Sequence, residues 1–168
     1  EQIPAASDDE HAGKLVDKAE ELQKKWQVQL GDLWECGEHR IICGDCTHAD
    51  VVTKLLGNEK PNLMVTDPPY GVKYDPAWRV NIRGKLGDVK AFGKVENDAR
   101  YDWTEAWSLF EGNVSYVWCA SWFVGAAQIS LENCNFVIRN LIIWAKQHFA
   151  LSRGDYHWQN EPCIYSVK

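Results

Sequence analysis

The chain has 168 residues, of which 45% are hydrophobic and 12% aromatic, enough for a domain with a real core and too apolar for a disordered polymer. A formal net charge of −6 excludes a uniformly basic nucleic-acid-binding protein, because phosphate neutralisation needs Lys and Arg in excess. The longest aliphatic stretch, Leu141 to Ala145, is far short of the ~20 residues of a membrane helix; with a charged rather than apolar N-terminal region, the six cysteines are expected as thiols of a soluble, cytoplasmic protein.

In chain order, residues 1–7 read as a tail. Asp8 to Trp26 predicts a helix, with Leu15, Ala19, Leu22 and Trp26 recurring at helical spacing and Glu20 with Lys24 and Glu21 with Lys25 paired along its polar side. The apolar stripe is narrow, so residues 1–30 are set apart as a tail and charged linker or docking helix, and residues 31–168 form the domain proper. A strand is predicted at Arg40 to Cys43, a helix from about Ala49 to Leu56, and a strand at Asn62 to Thr66. Residues 71–100 form a long, turn-rich stretch with few periodic apolar positions, longer than a compact domain normally tolerates without a functional reason. A helix near Asp102 to Phe110, a strand at Val114 to Cys119, a helix near Trp122 to Leu131, and strands at Phe136 to Trp144 and Cys163 to Val167 complete the pass. Strands alternating with helices favour a parallel α/β sheet covered on both faces, the last two strands pairing antiparallel. Trp103, Trp107, Trp118, Trp122 and Trp144 are core candidates.

Charge is concentrated within the long stretch. Residues 72 to 95 hold Lys73, Arg79, Arg83, Lys85, Lys90 and Lys94 against Asp75 and Asp88, a local balance of +4. A basic lobe beside an acidic body can still meet DNA. Arg79, Arg83, Lys85 and Lys90 are the candidate phosphate contacts, and Trp78 and Phe92 the candidate base or DNA contacts.

The chemistry concentrates at Asp67-Pro68-Pro69-Tyr70, directly after the buried-type strand Leu63-Met64-Val65-Thr66. At average residue usage that string arises by chance in roughly one chain in a thousand of this length. A carboxylate and a rigid carbonyl there can each accept one hydrogen bond from an amino group whose lone pair is delocalised into a ring, pushing the nitrogen toward tetrahedral geometry as it attacks an electrophile. Two prolines fix φ and remove two N–H donors, so the lining accepts rather than donates. Tyr70 supplies a ring on which a base swung out of a duplex can stack. Asp45, in a Gly-Asp step after the Arg40 strand, shares the informative carboxyl edge of such a sheet; taken alone it reads equally as a helix N-cap.

These residues, together with Gly31-Asp32-Leu33-Trp34, His39 to Asp45, Ile142 to Lys146 and Tyr156 to Pro162, resemble the beta group of S-adenosylmethionine-dependent DNA amino-methyltransferases, the Asp-Pro-Pro-Tyr type found in phage and prophage methylases. The resemblance runs from about residue 20 to the last residue. It implies a Rossmann-like methyltransferase sheet and methyl transfer to the exocyclic amine of a flipped base in double-stranded DNA. Asp67, Pro68, Pro69 and Tyr70 would be catalytic, and Asp45 and Asp67 would face S-adenosylmethionine. Asp at the first motif position favours adenine N6 over cytosine N4. Beta-group enzymes carry a Gly-rich cofactor loop nearer the C terminus, and no Gly-x-Gly occurs in these residues. The chain is therefore expected to be an N-terminal half, inactive alone, from a truncated gene or a split enzyme completed by a second chain or a homodimer partner. The strands that normally lie between the Arg40 and Asn62 strands are missing too, which predicts an exposed sheet edge.

Other readings rank lower. Cys36, His39, Cys43, Cys46 and His48 include a zinc-like Cys43-x-x-Cys46 spacing, but one pair would have to straddle a strand, and no metal is expected. His11, His148 and His157 read as surface residues, and Glu161 as a surface ion pair or a support for the tetrapeptide. RNA or protein methyltransferases with a similar motif place their glycine loop before it, which Cys43-Gly44-Asp45 cannot supply. A non-catalytic DNA-binding or dimerisation module derived from a methylase is the remaining alternative.

Overall fold

The computed structural model describes residues 19–73, 97–150 and 155–168. Internal contacts divide the chain into two compact units, Glu1–Gly57 and Asn58–Lys168.

In the first unit, helix α1 (Ala19–Trp26) ends at Gln27, and strands β1 (Leu33–Cys36) and β2 (His39–Ile42) form an antiparallel hairpin followed by helix α2 (Ala49–Leu56). The hairpin turns on Gly37 and Glu38, with Gly37 at φ 65°, the positive φ that a two-residue hairpin loop requires at its first position. This corrects the expectation that the Arg40 strand belongs to a parallel sheet: it pairs antiparallel with β1, a strand absent from the sequence reading, in a sheet of only two strands. Arg40 then caps α2, donating from Nη1 to the carbonyls of Leu55 and Leu56 at 3.3 and 3.1 Å. A cation suits that position, where the last carbonyls of a helix lack partners. Trp26 and Trp34 meet edge to face, 5.7 Å between ring centroids. Of the predicted Asp8 to Trp26 helix, the part before Ala19 lies outside the described residues.

In the second unit, strand β3 (Leu63–Thr66) is followed by helix α3 (Thr104–Ser108), strand β4 (Val114–Trp118), a 3-10 turn at Ser121–Phe123, helix α4 (Val124–Glu132), and the long strands β5 (Val137–Ala150) and β6 (Trp158–Val167). The sheet order is β3-β4-β6-β5, with β3 parallel to β4 and the other two ladders antiparallel. The fold is thus mixed α/β, with its one described parallel pair directly before the tetrapeptide. The predicted antiparallel relation of the last two strands is observed; both are longer than expected.

One face of this sheet is covered. Val117, Ile164 and the Ser115–Ser166 hydroxyl pair lie buried there, α4 packs on β5 and β6, and α3 packs on α4. The core adds Trp103, Trp107, Phe110, Leu131 and Phe136; fully burying Leu131 or Ile164 stabilises by roughly 1.5–3 kcal/mol each. On the opposite face Leu63, Val65, Val137, Ile142 and Trp144 are exposed, beside a stacked Tyr116–Tyr165 pair 5.0 Å apart. Two predicted core residues therefore move outward. Trp122, in the 3-10 turn, is 78% exposed and Trp144, on an edge strand, 53%.

Candidate active site

The covered core fixes β3 and β4, and the parallel register Thr66↔Val117 brings the start of the tetrapeptide level with the end of β4. Asp67 is exposed, while Pro68, Pro69 and Tyr70 are half-buried. Tyr70 donates its hydroxyl to Asp67 Oδ1 at 2.5 Å. Burial, first, and then that hydrogen bond and the Asp67 charge raise the Tyr70 phenol far above its ordinary range, so it stays protonated and acts as a donor. Glu161 adds a smaller effect in the same direction and is itself half-buried in an ion pair with Lys146. The predicted choice for Glu161 is thus resolved as an ion pair that also lies within electrostatic reach of the tetrapeptide.

Pro68, Pro69 and Tyr70 line a pocket with Tyr101, Trp103, Trp118 and Phe123. Tyr101 and Phe123 of this lining stack on each other nearly parallel, 5.1 Å between centroids. At its floor is Cys119, whose thiol burial pushes up to about 11. The backbone leaves the site at Gly71, φ 78°, where an added Cβ would lie 2.9 Å from Tyr101 Cβ and 3.0 Å from the Arg100 carbonyl. Trp103 Nε1 donates to the Pro69 carbonyl at 3.1 Å.

Asp45 belongs to the first unit. Its Oδ1 accepts from the Thr47 N–H at 2.9 Å and the Thr47 hydroxyl at 2.8 Å, a side-chain turn over two residues. The helix N-cap is instead His48, whose side chain makes no capping bond, so the alternative reading of Asp45 as the cap is corrected. Gly44 before it packs against Val51, where a Cβ would come within 2.6 Å of a methyl carbon. Among the described residues no group of three or more His, Cys, Asp or Glu side chains is gathered as a metal site, and Cys36 and His39 are cross-strand partners in the hairpin. Trp78, Arg79, Arg83, Lys85, Lys90 and Phe92 lie outside the described residues. Asp98, Tyr101 and Trp103 are the pocket and anchor residues that sequence reasoning missed; the only signal was their position just after the long basic stretch.

No protein-family model matches the chain, and no curated protein matches it significantly. Among solved structures it is similar to the M1.HpyAVI–SAM complex, with a TM-score of 0.43 and 19% identity over 71% of this chain and 51% of that one. It is similar also to M1.HpyAVI, with a TM-score of 0.45 and 17% identity over 74% and 54%. The chain spans about half the length of these proteins. Among the described residues no helix is long and apolar enough to cross a membrane.

Proposed function

We propose that the protein of which these residues form part is an S-adenosylmethionine-dependent DNA methyltransferase acting on the exocyclic amine of a flipped base, with adenine N6 as target. The observation that carries this reading is an acceptor carboxylate, Asp67, held at the end of a parallel strand beside two prolines and the Tyr70 ring, which line a pocket with Tyr101, Trp103 and Phe123. In this reading Asp67 and the Pro68 carbonyl accept the two N–H bonds of the amine. Tyr70 stacks on the base and, through its hydroxyl, fixes the Asp67 carboxylate. Arg79, Arg83, Lys85, Lys90 and Trp78 hold the duplex, and the sheet is a Rossmann-like methyltransferase sheet.

Each taken in its own unit, Asp45, oriented by Thr47, and Asp67 are acceptors of the kind that the ribose hydroxyls and ammonium group of the cofactor require. When bound, S-adenosylmethionine supplies the electrophilic methyl group. The role of this chain is to present the amine in line with that methyl and to stabilise charge developing on the nitrogen.

The test expresses the complete reading frame that carries these residues in a methylation-deficient bacterium and quantifies methylated nucleosides in its DNA by mass spectrometry. N6-methyladenine that disappears with Asp67→Ala is the expected result. N4-methylcytosine in its place corrects the target base, and methylation that survives Asp67→Ala refutes the assigned site.

A further inference from the structure

Resting on that methyl-transfer reading, we propose that Asp98 and Trp103 are positioning residues, which clamp the downstream flank of the tetrapeptide. The two prolines have no N–H, so this segment can be anchored only through its carbonyls and the amides that follow. Those are the groups engaged, at every second residue. The Pro69 carbonyl accepts from Trp103 Nε1 at 3.1 Å, the Gly71 N–H donates to Asp98 Oδ1 at 3.1 Å, and the Lys73 N–H donates to the Asp98 carbonyl at 2.9 Å. Gly71 has no room for a side chain against Tyr101 and Arg100, so the two segments lie as close as backbones allow.

Both clamp residues are 6% exposed. A buried indole N–H needs an acceptor, which Trp103 finds on the tetrapeptide flank, and one of the bonds that the buried Asp98 carboxylate accepts comes from the same flank. Trp103 is itself held. The Arg100 guanidinium lies 4.6 Å from its ring centroid and is fixed by Glu105 at 2.7 Å and by the Asp102 carbonyl at 2.6 Å. Two consequences follow for the placement of Tyr70. Engaging the Pro69 carbonyl fixes the peptide from which the Tyr70 ring projects. Asp98 also binds the Lys73 N–H through its own carbonyl, so one buried residue holds the chain at two points just after Tyr70.

The experiment compares Asp98→Ala, Asp98→Asn and Trp103→Phe in the protein expressed from the complete reading frame. Single-turnover methyl transfer to methylation-free genomic DNA is read beside S-adenosylmethionine affinity and thermal melting. Misplacement of reacting groups by about 1 Å costs about 100-fold, so Asp98→Ala and Trp103→Phe are expected to slow transfer by roughly 10- to 100-fold with cofactor affinity unchanged. Asp98→Asn keeps an oxygen acceptor for Gly71 and is expected to restore most of the rate. Wild-type rates in Trp103→Phe, an Asp98→Asn no better than Asp98→Ala, or rate, affinity and melting falling together each overturn the positioning role while leaving the parent reading intact. A wild-type protein that transfers no methyl group overturns both.

Discussion

At the residue scale, the Tyr70–Asp67 hydrogen bond assigns two separable jobs to one side chain. The hydroxyl orients the carboxylate, whereas in the proposed reading the ring offers area to a base. Stacking on an aromatic is worth about 1–3 kcal/mol per base, and a net hydrogen bond to a charged group about 1.5–3 kcal/mol; the half-exposed setting places the latter at its low end. Tyr70→Phe is therefore expected to keep the binding of an extruded base and lose up to about tenfold in transfer rate, while Tyr70→Ala loses both. Fluorescence of 2-aminopurine at the target position reads extrusion independently of chemistry, and a Tyr70→Phe variant as defective in extrusion as Tyr70→Ala would remove stacking from the account. Cys119 makes a second residue-scale expectation. Its buried thiol, raised to about 11, should resist iodoacetamide at pH 8 in the folded protein, while the exposed Cys36 reacts; peptide mapping that finds Cys119 labelled first would contradict its burial.

At the scale of elements, α3 is short and leans on side-chain bonds at its start. Asp102 Oδ1 accepts from the Thr104 hydroxyl and N–H at 2.7 and 2.9 Å, and the same hydroxyl meets Ser130 of α4 at 3.0 Å. These bonds, the hydroxyl first, hold the Asp102 carboxyl below its ordinary value of 3.8. A carboxyl depressed in the folded state contributes stability that is present above its unfolded pKa and is lost as pH falls through the folded value. Asp102→Asn should flatten the acid limb of the stability curve below about pH 3.8 and change little at pH 7; an unaltered acid limb in urea titrations would show that the carboxylate is not linked to folding. Deeper in the same unit, Leu131 is fully buried, and Leu131→Ala should cost about 2–5 kcal/mol, measured by the same titrations.

These elements also show what the sequence made legible. Helices α2, α3 and α4 and strands β2, β3 and β4 announce themselves by local periodicity, and the tetrapeptide by its composition. Strand β1 was missed because its four residues, Leu33–Cys36, carry too little alternation to register. Pairing was less accessible still. That β6 inserts between β4 and β5 depends on long-range register that no local pattern encodes; the β1–β2 hairpin did carry a local signal, the Gly37-Glu38 turn. Trp103 was read as a core residue, and is one, but its bond to the tetrapeptide and that of Asp98 were not legible, since their partners lie 34 and 27 residues earlier in the chain.

At the scale of the whole molecule, charge is segregated. Residues 72 to 95 hold +4 of a total of −6, so the remainder carries −10 by difference. Such a body is repelled by DNA at long range, but repulsion decays over about 8 Å at physiological ionic strength, whereas Lys or Arg at a phosphate releases counterions locally. Binding should therefore be governed by the basic stretch and weaken steeply with salt. Each neutralised phosphate contributes about 0.9 to the logarithmic salt slope, so replacing Arg79, Arg83, Lys85 and Lys90 together with Ala should lower the slope by roughly 3 to 4 if all of them contact phosphate. Fluorescence anisotropy of a random-sequence duplex, titrated at several salt concentrations, reads that difference directly. A slope unchanged by the quadruple substitution would move the DNA-facing surface off this stretch. In the proposed reading, the duplex would then have to be held by residues outside 72–95.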